Sequence, residues 1–200
     1  MKKVIILTTV FVLIAAWCVR YYTLNGTFAI HDQYPLEVYK MHETVEFGDC
    51  VSYNVYEQPG YAISLESARI INSDDYLKEL DKKPEDFHYL SPKYLELTLT
   101  VSNNGDYPNG LTFYALPVLG ENWYTFYDNE ITACINPFFN DDFNQGHACA
   151  VRKNTSTTIK IAYNLYDYHF RESTYGNLEN EKMWLWVTLR PIDKRIEIKF

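Results

Sequence analysis

The segment Tyr94-Leu-Glu-Leu-Thr-Leu-Thr-Val-Ser102 alternates apolar and polar side chains without a break. Side chains on a strand alternate with a period of two, so Leu95, Leu97, Leu99 and Val101 share one face of an extended chain. Working outward, YAISLESARII (61–71) places Tyr61, Ile63 and Leu65 on one face. VSYNVY (51–56) reads as its partner strand across the turn Glu57-Gln58-Pro59-Gly60. After residue 102, the turn formers NNGDYPNG (103–110) lead into LTFYALPVL (111–119), which reads as the mate of the 94–102 strand.

Farther along, NWYTFYD (122–128) forms a short strand and TTIKIAYNL (157–165) alternates through Ile159 and Ile161. MWLWVTLRP (183–191) is apolar on both faces, as suits a central strand, and RIEIKF (195–200) closes the series. SDDYLKEL (73–80) predicts one short helix, with Ser73 as its cap, acids in its first turn, and Tyr76, Leu77 and Leu80 on one side. ITACI (131–135) runs into a polar loop, and YDYHFRES (166–173) is a helical turn or an irregular crossover. Many short strands with one helical insertion predict an all-β, antiparallel, immunoglobulin-like sandwich.

The amino terminus obeys a different logic. Met1-Lys2-Lys3 precedes Val4–Val19, which holds no charge, and Arg20-Tyr21-Tyr22 follows. This is an export signal; the lysines keep the terminus in the cytoplasm and send the remainder outside. Cutting after Ala16 would put Ile14 at position −3 and Trp17 just past the cut, a poor peptidase site. The expectation is therefore a retained single-pass anchor in the cell membrane, with secretion after cleavage as the alternative. Cys18 follows bulky Trp17 rather than a small residue, which argues against lipid attachment. The domains so predicted are an anchor (1–22), a stalk (23–44) and a sandwich (45–200).

The chain holds 18 Lys and Arg against 26 Asp and Glu, a net charge of −8, and three of the cations lie in the anchor. Such an acidic body, without a basic cluster, excludes nucleic acid as a partner. Eighteen tyrosines and eleven phenylalanines suit the packing of a β-rich body. The competing reading is a set of sugar-stacking platforms, for which Tyr107, Trp123, Tyr124 and Tyr127 lie in or near loops.

Catalysis finds no motif. There is no G-x-S-x-G elbow, and His31, His42, His88, His147 and His169 are dispersed over different elements. The chain thus reads as a non-enzyme without a cofactor. Asn140, Asp141, Asp142 and Asn144 gather oxygen ligands for calcium but lack the spacing of a calcium loop. Cys134, His147 and Cys149 lack the paired spacing that zinc requires. Cys134 and Cys149 flank a loop whose closure by a disulfide would be worth about 3 kcal/mol. Export permits oxidation without enforcing it, so bridge and free thiols both stay open.

An N-terminal anchor, EFGDCV (46–51), GYAISLESARII (60–71) leading into an acidic helical insertion, YLELTLTVSNNG (94–105) and a late Asn136-Pro137 occur in this order. In these features the chain resembles bacterial single-pass or secreted proteins of uncharacterised function with an immunoglobulin-like, telokin-like exterior domain. The resemblance implies a fold and a surface location and carries no catalytic residues. The functional expectation is a membrane-anchored, non-catalytic domain binding a protein or cell-envelope partner. The alternative is a carbohydrate-binding module, calcium-assisted, that uses the loop aromatics.

Overall fold

The computed structural model describes residues 2–26, 34–106, 110–136, 147–170 and 172–200. It divides into two units, Met1–Pro35 and Leu36–Phe200. The first holds helix α1 (Lys2–Gly26), on which Phe11, Leu13, Trp17 and Val19 are exposed and Trp17 stacks on Tyr21 with ring centroids 5.4 Å apart. Among the described residues, no helix is long and apolar enough to cross a membrane.

The second unit runs β1 (Leu36–Tyr39), β2 (Val45–Glu46), β3 (Tyr61–Asn72), α2 (Ser73–Leu80), β4 (Lys93–Asn103), β5 (Leu111–Thr112), β6 (Val118–Gly120) and β7 (Tyr124–Thr125). It continues through α3 (Asn129–Ile135), β8 (Ala148–Cys149), β9 (Thr155–Leu165), α4 (Glu172–Tyr175), β10 (Met183–Thr188) and β11 (Asp193–Ile198). One sheet has the order β2-β3-β4-β9, another β1-β11-β10-β6-β7, and β5 pairs with β8. All pairings are antiparallel except β1 with β11.

The two larger sheets share one core. Ile63, Leu97, Leu99 and Ile161 from the first pack in the same cluster as Val118, Leu185 and Ile196 from the second. The predicted 94–102 strand is its centre: Leu95, Leu97, Leu99 and Val101 on β4 are fully buried, and Leu97 pairs across with Ala68 and Ile161. β3 contains a bulge between Leu65 and Ser67. An extra residue exchanges the faces of a strand. Tyr61, Ile63 and Leu65 face the core before the bulge and Ala68 and Ile70 after it, so Arg69 is delivered to the outer face beside Glu96.

Several expectations need correction. The stalk reading of 23–44 gives way at Leu36, because β1 lies beside the last strand, β11, and belongs to the sheet. VSYNVY (51–56) is not a strand: the Val51 amide donates to the Arg190 carbonyl at 2.8 Å. Tyr53 then rolls into a helical turn, with Asn54 at φ +56°, to join a ring cluster. LTFYALPVL is broken by a turn at Phe113–Ala115 and is not the mate of β4, whose second edge β9 takes. Helix α2 begins at Ser73 with Asn72 in the cap position, and the Ser73 hydroxyl is buried without a partner.

ITACI, which the sequence leaves without an assigned element ahead of the polar loop, is helical. The Asp128 side chain accepts the Ile131 amide at 3.0 Å, and Ile131 packs with Tyr76, Tyr94 and Ala162 against the outer face of the first sheet. Helical insertions therefore include α3 and α4 as well as α2. The motif residues behind the family resemblance are structural. A Cβ on Gly60, at φ +82°, would lie 2.5 Å from Gly105 Cα, so the two backbones meet there only as glycines. Asn136 accepts the Lys160 amide at 2.9 Å and donates to the Lys160 carbonyl at 2.7 Å, replacing a missing strand neighbour at the edge of β9.

Candidate functional site

β6 and β7 form a hairpin in which Val118 pairs with Thr125 and Leu119 with Tyr124. The Gly120 amide donates to the Trp123 carbonyl at 2.8 Å and closes the turn. A Cβ at Gly120 would overlap the Trp123 indole, so the glycine makes the seat on which that ring lies. Phe170 meets the indole edge to face at 4.8 Å, which sets its second support. Trp123 is thereby held by its own hairpin and by a segment almost 50 residues away in sequence.

The opposing wall follows β9. The Asp167 carboxylate accepts the Tyr168 amide at 2.8 Å and its carbonyl accepts the Phe170 amide at 3.0 Å, which curls residues 167–169 into a tight turn. Tyr166 and Tyr168 stack at 5.1 Å with planes 15° apart, and His169 stands edge-on to both. Two bonds join the walls: the Asn164 amide donates to the Phe126 carbonyl at 3.3 Å, and the Thr125 hydroxyl to the Asn164 carbonyl at 2.6 Å. Between them lies a cleft of about 540 Å³ lined by Trp123, Tyr124, Phe126, Tyr166 and His169 over a floor of Thr125 and Asn164.

A second lobe of about 520 Å³ continues past Trp123, Asn122 and His169, which line both. Phe170 lines it as well, and its remaining walls are polar, with Glu121, Thr174 and Glu181. In the other direction Tyr124 meets Phe126 edge to face at 5.6 Å, and Phe126 stacks on Tyr114 at 5.1 Å. Tyr53 packs against Phe126, Tyr114 and Trp186, and burial, then the neighbouring Tyr114 and Tyr124, pushes its phenol above the usual tyrosine range. Rings thus line both sides of the cleft, Tyr53, Tyr114, Phe126 and Tyr124 in one group and Tyr166, Tyr168 and His169 in the other. Tyr124 is 59% exposed and Tyr168 72%.

Of the four sequence-predicted aromatics, the structure brings Trp123 and Tyr124 into the cleft. Tyr127 leaves the set: its ring faces Phe113 at 5.9 Å, its hydroxyl lies 2.6 Å from His147 Nδ1, and burial pushes its phenol up to about 12. Tyr107 and the calcium candidates Asn140, Asp141, Asp142 and Asn144 lie outside the described residues. Among the described residues, no group of three or more His, Cys, Asp or Glu is placed to hold a metal ion.

Cys134 and Cys149 stand as separate, unbridged thiols in this structure. Cys149 sits in the inter-sheet core, where burial raises its thiol to about 11, whereas Cys134 rides on α3 over the outer face of β9. A sheet stands between them.

Tyr166, Tyr168, His169 and Phe170 were missed by the pattern analysis. Their only sequence signal is aromatic density in YDYHF directly after an alternating strand, and periodicity is blind to a turn.

The buried acid Glu96 is a different kind of cluster. It accepts from Arg69 Nε at 2.9 Å, Arg69 Nη2 at 3.0 Å and Tyr76 at 2.6 Å, and pairs with Lys160 Nζ at 3.1 Å. Burial alone would raise its carboxyl; these donors overcome that and hold it below the usual carboxylate range. Every lone pair is engaged, so the cluster fastens α2 to the sheet. His42 is paired with Glu66 and His88 with Glu130 at the surface.

Fold and cleft together define a class: a β-rich domain of two packed sheets with an open aromatic cleft at one hairpin. More particularly, the chain belongs to the family described as Domain of unknown function (DUF5028), whose model matches residues 36–194. That match begins where β1 begins. No curated protein and no solved structure matches the chain.

Proposed function

We propose that this chain is a membrane-anchored domain, outside the cytoplasm, that binds a carbohydrate of the cell envelope in the aromatic cleft without transforming it. The observation that carries the reading is the cleft itself: ring faces held at fixed positions by Gly120, Phe170 and the 167–169 turn, with Tyr124 and Tyr168 left in water. Rings ordered before binding lose little entropy when a ligand covers them. A site of roughly 300–1,000 Å³ suits a small or oligomeric ligand, whereas a protein partner typically needs about 800 Å² of surface.

The anchor is proposed from the sequence, from the uncharged run Val4–Val19 between Lys2-Lys3 and Arg20. Phe11, Leu13, Trp17 and Val19 are exposed on it, and lipid is the solvent such side chains suit. We read the exterior body as immunoglobulin-like from its two packed sheets and from β1 beside the last strand; the direct pairing of β3 with β4 is its departure from immunoglobulin connectivity.

The test has two parts. Protease added to intact cells should remove the body while sparing the anchor, and fractionation should leave the full chain in membranes; a body protected inside the cell would overturn the placement. The full-length chain in detergent micelles should bind envelope-derived oligosaccharides, and Tyr124→Ala should weaken that binding about tenfold at an unchanged fold. Failure of every oligosaccharide would sink the ligand class.

A further inference from the structure

We infer that the two lobes are successive subsites for one oligosaccharide, and that the sugar in the second lobe carries a free amino group. The inference rests on the cleft being the binding face. Asn122, Trp123 and His169 line both lobes, so a ligand in the first that extends along the groove crosses Trp123 into the second. The lobes differ in chemistry. The first offers ring faces from Trp123, Tyr124, Phe126 and Tyr166, which suit the flat apolar face of a sugar ring. The second offers the carboxylates of Glu121 and Glu181 beside Thr174.

Glu121 has only a long contact with Lys182, 3.6 Å between exposed side chains, which contributes little. Among the described residues no ion pair engages Glu181. A neutral ring covering these carboxylates would strip their water and return no charge. An ammonium group there gains both carboxylates as partners, lies next to the Trp123 indole, and is drawn in by a chain of net charge −8. An N-acetyl group gives back the bulk without the charge. Charge complementarity thus favours a glucosamine-type oligomer over its acetylated or neutral counterparts.

The experiment is calorimetric titration of the full-length chain in detergent micelles with three probes: glucosamine trimer, N-acetylglucosamine trimer and cellotriose. The glucosamine trimer should bind roughly tenfold more tightly than the other two. That advantage should shrink severalfold in about 0.5 M salt, where exposed charges are screened. Glu181→Gln should cut the advantage severalfold, weakening the glucosamine trimer while cellotriose binding holds or tightens, and Tyr124→Ala should weaken all three. Both positions lie at the surface, and a circular dichroism spectrum verifies that each variant is folded. Equal binding of the three probes, unaffected by Glu181→Gln, or preference for the acetylated trimer, overturns the amino-sugar inference and leaves the cleft reading standing. No binding by any probe, with a trilysine peptide bound instead, overturns both.

Discussion

β4 and the β6–β7 hairpin are both rich in large side chains, yet they hold them in opposite ways. β4 has eleven residues and a strand on each side, so cross-strand partners dictate the position of every side chain, and its leucines are fully buried. β7 has two residues at the end of its sheet, and Tyr124 on it is mostly in water. Register is strong where one face is buried and weak where it is not. The rings of the hairpin therefore take their positions from distant supports, Phe170 and the 164–169 segment. Stability belongs to the first region and, in the proposed function, ligand chemistry to the second, and substitutions can separate the two.

The largest effect should come from the centre of β4. Leu97→Ala, fully buried between the sheets, should cost about 3 kcal/mol in urea unfolding and leave ligand affinity of the folded chain unchanged. A weakened affinity would show that the cleft depends on the core more closely than the contrast allows. Gly60→Ala should cost about 2 kcal/mol, since the new methyl group meets the Gly105 backbone in a left-handed conformation. A denaturation midpoint equal to that of the parent chain would refute that steric account.

Glu96→Gln comes next, at about 1 kcal/mol near neutral pH, because Arg69 and Lys160 keep partial access to water when the charge is lost. The folded carboxyl titrates below its unfolded counterpart, so the unfolded chain binds more protons in the acid range. The stability from this group is present above the unfolded carboxylate value and lost as pH falls through the folded one. Unfolding measured against pH should accordingly show a shallower acid slope in the variant; an unchanged slope would mean that other acids carry it.

Two smaller effects belong to the hairpin. Gly120→Ala should cost under about 1 kcal/mol, yet shift tryptophan fluorescence and weaken ligand binding, because the methyl group unseats the indole. Tyr124→Ala should change stability by less than about 0.5 kcal/mol and act on binding alone. A large loss of stability from Tyr124→Ala would erase the distinction between the two regions.

The same contrast governs what could be read along the chain. Alternation marked β3, β4, β9 and β11, and an apolar run marked β10, because each buries one or both faces over many residues. It misread 51–56 and 111–119, where apolar residues serve a bridge, a turn and short strands instead of one extended run. It missed β1, whose Leu36 and Val38 face solvent and so carry no burial signal. In the cleft, Trp123 and Tyr124 were legible as loop aromatics, Tyr127 was not separable from them, and Tyr166 to Phe170 gave no periodic sign.

By itself the sequence determined that the body is rich in β-strands and that one alternating strand lies at its centre. Burial of alternate side chains is a local rule, written into each segment. Only the tertiary structure decided that the bulge in β3 turns Arg69 toward Glu96, that a sheet separates Cys134 from Cys149, and that Trp123 faces Tyr166 and His169 across a cleft. Those are meetings between segments distant in the chain, and no local periodicity specifies which distant side chain will stand opposite.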